Sequence, residues 1–149
     1  MLKIRKVSKE ELALAMKIRM EMLREVNKLG EDYSFSKSFA LKSKLFFEND
    51  EQTTLLAIDT DVIGCATICY MELMPTYSHP TGRRAHLMNV FVRKGHRGKG
   101  IASSLVNQLI AEARDKGVTE ISLDATKEGR PLYQKCGFHD SFECMIREL

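Results

Sequence analysis

Apolar and polar residues recur along this chain with two different periods, and the periods mark out its elements. Residues 2–7 alternate apolar with basic side chains, the pattern of a short strand. Ser8-Lys9-Glu10-Glu11 then reads as a capping box, with Ser8 as N-cap and Glu11 at the third helical position. Leu12, Met16, Arg19, Leu23 and Val26 follow at helical spacing. The helix is expected to stop at Leu29-Gly30, because glycine commonly follows the last periodic residue. Residues 37–47, rich in Phe, Leu and Lys, carry a second helical pattern.

Residues 53–58 and 62–70 are apolar runs on either side of Asp59-Thr60-Asp61, which predicts a β-hairpin. Residues 71–84 hold Pro75, Ser78, Pro80 and Gly82 with His79, Arg83 and Arg84, and predict a mobile loop. Residues 85–92 are apolar on both faces apart from His86 and Asn89, as in a central strand. Ile101, Leu105, Leu109 and Ala113 define one face of the next helix, with Val106 and Ile110 beside them, and the helix ends near Lys116-Gly117. Residues 118–123 predict a strand, 131–136 a short helix and 142–147 a last strand. The order is β-α-α-β-β-β-α-β-α-β. It predicts an α/β (α+β) fold with a mixed, mostly antiparallel central sheet flanked by helices. The strand–helix–strand unit over 85–123 predicts one right-handed crossover and one parallel pair. Residues 1–149 show no repeat or linker and predict a single domain, long enough to bury about 68–70% of its unfolded surface.

Composition narrows the classes without choosing among them. A chain that is 44% hydrophobic and 29% charged is ordinary for a soluble globular protein. A net charge of +3 makes no case for duplex nucleic acid, which needs a clustered basic face. No apolar run approaches bilayer length, so no membrane partner is expected. The first residues form a charged strand pattern rather than an apolar leader. With Cys65, Cys69, Cys136 and Cys144 read as free thiols, the expected setting is reducing and cytoplasmic. Cys65 and Cys69 lie in an apolar run with no second Cys/His pair at zinc spacing, so they read as buried strand cysteines and no metal is expected.

The chemistry concentrates in Asn89-Val90-Phe91-Val92-Arg93-Lys94-Gly95-His96-Arg97-Gly98-Lys99-Gly100-Ile101-Ala102. An apolar run ends in a basic, glycine-rich turn, and an amphipathic helix starts at once behind it. Bare backbone lets a phosphate approach, and the first N–H groups of a helix have no internal partner. Gly95, Gly98 and Gly100 fall within six residues, more than a plain turn needs. The turn is not a Walker loop, because no Gly-Lys-Ser/Thr follows, nor a Rossmann fingerprint, because G-x-G-x-x-G is missing. His96 reads as a surface residue.

Element order and two motifs together resemble the GCN5-related N-acetyltransferase (GNAT) family. Arg97-Gly98-Lys99-Gly100-Ile101-Ala102 is similar to the family's (Gln/Arg)-x-x-Gly-x-(Gly/Ala) pyrophosphate turn, and Leu132-Tyr133-Gln134-Lys135-Cys136-Gly137-Phe138 to its Leu-Tyr-x-Lys-x-Gly-Phe segment. The chain departs from the family pattern at Lys94, where proline is frequent, and at Ala125-Thr126-Lys127, where asparagine is frequent.

The resemblance implies acetyl-CoA as co-substrate. Backbone N–H groups from Gly98 through Lys99, Gly100 and Ile101 to Ala102 would hold its pyrophosphate, with Arg97 and Lys99 adding charge. Val90, Phe91 and Val92 would pair with the pantetheine arm, and the N–H near Val90 would polarise the thioester carbonyl. Tyr133 would be the general acid that protonates the departing thiolate; a phenol near pKa 10 suits a thiol near 8.5. His86 occupies the strand position where several members carry an acid, and is a candidate base beside water or another group such as Glu72. Asn89 reads as orienting or structural, and Cys136 as core rather than nucleophile.

The acceptor would be a small-molecule or peptide amine, seated between the first two helices and the loop over 71–84. Glu21, Glu25, Glu72 and Tyr77 would suit a cationic amine there, while Arg83 and Arg84 oppose a purely acidic pocket. The activity implied is N-acetyl transfer directly to a primary amine. The alternatives are a non-catalytic acyl-CoA-binding module and transfer of another acyl group. A homodimer is plausible on frequency alone.

Overall fold

The computed structural model describes all of residues 1–149. Its elements in chain order are β1 (Lys3–Lys6), α1 (Leu12–Val26), α2 (Lys37–Phe47), β2 (Gln52–Ile58), β3 (Val62–Glu72), β4 (Arg83–Val92), α3 (Ile101–Asp115), β5 (Glu120–Leu123) and α4 (Arg130–Lys135). The strands form one open five-stranded sheet in the order β1-β2-β3-β4-β5. Its first three pairings are antiparallel. The chain crosses over through α3 to lay β5 parallel to β4, as the pattern of a strand, an amphipathic helix and a strand predicts.

The two faces of the sheet are covered by different helices. Ile101, Leu105, Val106, Leu109 and Ala113 of α3 are buried against Leu55, Ala57, Ala66, Ile68, Ala85 and Leu87. Burying each large apolar side chain in this layer contributes roughly 1.5–3 kcal/mol. On the other face Ile18 and Met22 of α1 meet Leu56, Val62, Cys65 and Phe91. The buried stripe of α1 runs through Ala15, Ile18 and Met22, whereas Leu12, Met16, Arg19 and Leu23 flank it half-buried and Val26 is 59% exposed. The stripe thus sits one residue away from the predicted one. Apolar residues on both sides of it make the helical period visible but leave its centre undetermined. At the entry to α1 the Glu11 carboxylate accepts from the Ser8 N–H at 3.2 Å and the Ser8 hydroxyl at 3.1 Å, and Arg5 pairs with the same carboxylate.

Two expectations change. The loop is shorter than predicted, residues 73–82, and it is tied down. The Leu73 N–H donates to the Gly82 carbonyl at 2.8 Å, the Thr81 hydroxyl to the Gly117 carbonyl at 2.9 Å, and His79 Nδ1 lies 2.9 Å from the Thr119 hydroxyl. The last strand, 142–147, does not form: the final element is α4, and residues 141–149 make no hydrogen bond or ion pair. An alternating pattern supplies side chains for a strand, but the strand exists only where a neighbouring edge accepts its backbone.

One irregularity shapes the centre of the sheet. Thr67 pairs with Met88 and Cys65 with Phe91, so one residue of β3, Ala66, opposes two of β4, Asn89 and Val90. The extra residue makes a β-bulge, and Asn89 takes it up with φ 58°. Asparagine tolerates this left-handed backbone better than most residues. Its 8% exposed side chain is fully engaged: Nδ2 donates to the Thr67 hydroxyl at 3.1 Å, and Oδ1 accepts from Arg19 at 3.2 Å. The Cys65 thiol donates to the Asn89 carbonyl at 3.2 Å.

Asn89→Ala removes both side-chain bonds and leaves a β-carbon in the left-handed region, for an expected cost of about 1–3 kcal/mol. Asn89→Gly keeps the backbone comfortable and is expected to lose less. Urea unfolding should place the midpoints in the order wild type, Gly, Ala with a common slope; an alanine variant at least as stable as the glycine variant contradicts this account of the bulge.

Candidate functional site

The bulge opens a gap in the sheet. β4 and β5 are paired only from Arg84↔Glu120 to Leu87↔Leu123. Past that point β4 continues alone on its β5 side, and neither Asn89 nor Val90 has a ladder partner in β3 or β5. Phe91 and Val92 are buried, 6% and 7% exposed, on opposite faces, Phe91 towards α1 and Val92 towards α3. The predicted segment Val90, Phe91 and Val92 therefore forms one wall of a cleft whose other wall begins at the end of β5.

At the mouth of this cleft the chain makes the glycine-rich turn. Two arginines hold it from below. Arg93 donates to both oxygens of Glu21, at 2.9 and 2.8 Å, and to Asp61 at 3.0 Å. Arg93, helped by the Val62 N–H and Lys17, holds the Asp61 carboxyl down at about 2. Arg97 donates through Nε to the Val92 carbonyl at 2.6 Å and through its terminal nitrogen to Glu25 at 2.9 and 3.1 Å. Its guanidinium also lies 5.5 Å from the centre of the Phe91 ring. Arg97 thus fastens the turn to β4 and α1, a different engagement from the free charge expected of it. Lys99 is exposed and makes no ion pair.

Above the two arginines the backbone is bare. Gly98 and Gly100 both have φ 77°, and a β-carbon on either would meet no atom within 4 Å. Gly100 is the N-cap of α3 and offers no side chain. The first bond of the helix runs from the Ser104 N–H to the Gly100 carbonyl at 3.0 Å. No N–H from residue 98 to residue 103 has an acceptor in the protein, so Gly98, Lys99, Gly100, Ile101, Ala102 and Ser103 present a run of free donors at the positive end of the helix. By contrast, the Ser36 hydroxyl caps α2 by accepting from the Phe39 N–H at 3.1 Å.

His86 and Tyr133 stand on different elements, β4 and α4. His86 is on the α1 face of β4, opposite Ser122 of β5, with its Nδ1 2.7 Å from the Ser122 hydroxyl and its Nε2 3.6 Å from the Asp124 carboxylate. Ser122 and Asp124 were not singled out in the sequence. The signal for them was the parallel register, since a residue of β5 had to stand beside His86. Tyr133 of α4 packs half-buried on the α3 side, its ring edge-on to Phe138 with centres 6.0 Å apart. Burial pushes its phenol above the ordinary range, with Cys136 adding to the effect, so it stays protonated. Its hydroxyl makes no hydrogen bond to the protein. The Cys136 thiol is also raised by burial, and that of Cys65 is pushed up to about 12.

The acidic residues assigned to the acceptor side are engaged elsewhere. Glu21 is held by Arg93, Glu25 by Arg97 and Glu72 by Arg83 at 3.4 Å. Tyr77 is fully exposed on the loop. Arg19, by contrast, is half-buried, with Asn89 as its hydrogen-bond partner and no carboxylate in ion-pair range. An aromatic group stands nearby in sequence on the connection into α2: Tyr33 is 5.1 Å from Phe35, Phe35 is 5.4 Å from Phe39, and Arg24 lies over Phe35. Spacing of aromatics through residues 33–39 was the available sign of it.

Comparison with known proteins agrees with this architecture. Residues 17–138 match the acetyltransferase (GNAT) family. The chain is 30% identical over 128 residues to thialysine N-epsilon-acetyltransferase of Sus scrofa, covering 81% of this chain and 75% of that one. It is 27% identical over 77 residues to glucosamine 6-phosphate N-acetyltransferase of Trypanosoma brucei brucei, about half of each chain (52% and 50%). A predicted acetyltransferase of Clostridium acetobutylicum, crystallised with acetyl-CoA, superposes with a TM-score of 0.86 at 28% identity, over 99% of this chain and 96% of that one. No helix is long and apolar enough to cross a membrane. A glycine-rich turn that opens a helix beside a splayed pair of parallel strands, and a family match spanning both, lead to one assignment: the chain belongs to the GNAT acetyltransferase family.

Proposed function

We propose that this chain transfers the acetyl group of acetyl-CoA directly to a primary amine. The observation that carries the reading is the run of free N–H donors from Gly98 to Ser103 at the mouth of the β4–β5 cleft. A pyrophosphate fits this place: the donors are backbone, the field of α3 favours an anion, and no side chain fills the space above Gly98 and Gly100. Acetyl-CoA supplies a thioester whose carbonyl the amine attacks and whose thiolate then leaves.

The chain's own groups divide the remaining work. The backbone at Val90, free of the ladder, lies where an extended arm can add to β4 and where an N–H can face the developing oxyanion. One such preorganised donor contributes about 2.7–4 kcal/mol to the barrier in acyl transfer. Tyr133, protonated and without a protein partner for its hydroxyl, is suited to donate a proton to the leaving sulfur. His86 is suited to take the proton from the amine. The Ser122 hydroxyl lies 3.4 Å from the Ala85 carbonyl. With its proton directed there, its oxygen accepts Nδ1–H of His86, which leaves Nε2 bare as the base. Asp124 beside Nε2 then stabilises the imidazolium that forms.

The acceptor is an amine, as thialysine and glucosamine 6-phosphate are for the relatives that bear those names. A thiol-release assay with acetyl-CoA across a panel of amino acids, amino sugars and polyamines tests the whole reading. Release above the amine-free blank supports it, and none with any amine leaves an acyl-CoA-binding module in its place.

Three variants test the roles. Tyr133→Phe is expected to lower kcat about 100-fold or more while leaving the acetyl-CoA dissociation constant unchanged; an unaltered kcat removes Tyr133 from the mechanism. Gly100→Asp, which places a carboxylate and a β-carbon in the donor run, should abolish CoA binding in calorimetry. His86→Gln should lower kcat/KM and flatten the acidic limb of its pH profile, and a limb that persists assigns the base to another group.

A further inference from the structure

Arg19 is a half-buried cation without a counter-ion. Its single hydrogen bond runs from Nη1 to Asn89 Oδ1 at 3.2 Å. Nε and Nη2, which carry parallel N–H groups on one side of a guanidinium, have no acceptor. The Nε atoms of Arg83 and Arg84 are sealed without a partner, whereas these two nitrogens of Arg19 are open to solvent. Arg93 shows what that side of a guanidinium binds: its Nε and Nη2 take the two oxygens of Glu21 at 2.9 and 2.8 Å. Burial strips water from the Arg19 charge and draws its pKa below the ordinary value, and an arginine stays charged nonetheless.

Arg19 shares a face of the sheet with His86. Burial raises the thiols of Cys65 and Cys69, and the charge of Arg19 draws both back down, so the guanidinium lies within reach of the two. Cys65, Thr67 and Cys69 alternate along β3 and so lie on one face, the one where Cys65 meets Ile18 and Met22 of α1. Cys69 stands directly opposite His86, and Thr67 directly opposite Met88. Asn89, which Arg19 holds, donates to the Thr67 hydroxyl. From the Thr67–Met88 pair to the Cys69–His86 pair is two residues of strand, on the order of 7 Å. Met88 is 42% exposed, so α1 leaves this part of the face uncovered. Arg84, on the same face of β4 as His86, is already held by Glu120 at 2.6 Å.

We propose that Arg19 selects the acceptor: the amine carries an anionic oxygen group, carboxylate or phosphate, which lies side-on against Nε–H and Nη2–H of Arg19 while the amino nitrogen meets Nε2 of His86. The placement of the amine on this face rests on the transfer reading, since His86 is its base. Two parallel donors match two oxygens of a carboxylate or phosphate and find nothing to bind on a neutral chain. The bond to Asn89 holds the guanidinium at one nitrogen before any ligand arrives, so little side-chain freedom is lost on binding. The anion also supplies the counter-charge that the protein withholds from Arg19. The strand spacing sets a size, with amine and anion a short chain apart, on the order of 7 Å. A polyamine, cationic along its length, is disfavoured by the same charge.

Paired acceptors test this in the wild-type chain: ω-amino acids and aminoalkyl phosphates of increasing length, each against the alkylamine that lacks the anion. For the best anionic member kcat/KM should exceed that of its neutral counterpart at least about 10-fold, mainly through KM. Comparing the carboxylate with the phosphate series names the group. In Arg19→Met the anionic-to-neutral ratio should fall to near one, and Arg19→Lys, which keeps the charge without the fork, should retain part of it. Equal rates for both members of each pair in the wild type, or a ratio unchanged in Arg19→Met while both rates fall together, overturns the proposal and leaves the transfer reading standing. Calorimetry with the N-acetylated ω-amino acids and aminoalkyl phosphates, with and without CoA, reads binding apart from turnover. Binding that is lost in Arg19→Met supports the anion site and, where no amine is turned over, removes the transfer reading alone. No binding at millimolar concentration overturns the proposal.

Discussion

The bulge at Asn89 is the constraint on which the site depends. A regular antiparallel ladder between β3 and β4 would keep β4 flat and leave it parallel to β5 along its whole length. One extra residue in β4 bends it, and the β4–β5 pairing stops at Leu87 and Leu123. A bulge in the middle of a sheet is a defect unless something fills its unpaired groups. Here Thr67, Arg19 and Cys65 do so, from two different elements, and the left-handed backbone falls on a residue type that accepts it. The break in the β4–β5 pairing is therefore a property of the folded sheet itself.

The turn follows the same logic by different means. Its cations are bound inward. Arg93 joins Glu21 of α1 to Asp61 of the hairpin, and Arg97 joins Glu25 to the end of β4. Half-exposed ion pairs of this kind add little stability one at a time. Their consequence is positional: they fix both ends of a loop that has almost no apolar contact of its own. Side-chain charge holds the loop, and the backbone N–H groups from 98 to 103 are left without protein partners. Donors that are already aligned need no reorganisation when an anion arrives.

How much of this was legible in the sequence depends on which physical signal each part uses. Helix α3 and the parallel pair were plain, because a strict apolar period and a crossover leave few alternatives. The turn was plain too, because glycines outside a regular element have few other reasons to cluster. The centre of the α1 stripe was not, since Leu12, Met16 and Leu23 flank Ala15, Ile18 and Met22 closely enough for either set to read as the face. The fate of Glu21, Glu25 and Glu72 was hidden for another reason. Each pairs with an arginine that is distant in sequence or on the neighbouring strand, and spacing along the chain says nothing about such partners. The failed strand at 142–147 belongs to a third kind. Its pattern is right, but a strand also needs backbone partners, and no strand of the sheet pairs with these residues.

The proposed function assigns donor and acceptor to different kinds of group, and this bears on what relatives can share. In the proposed reading the run from Gly98 to Ser103 and the stretch at Val90 would act through backbone, which asks only for a bulge, two positive φ angles and a helix start. Chains of low identity can keep that much. The groups around it that act through side chains are of another kind: His86 with Ser122 and Asp124, Arg19 beside the bulge, and the aromatics of residues 33–39. Each of these can change without disturbing the sheet. One scaffold can thus keep the same acyl donor while the amine it serves changes, as the different substrates in its relatives' names require. Arg19 shows how tightly fold and surroundings are joined here, since its single hydrogen bond, to Asn89, ties α1 to the bulge in β4.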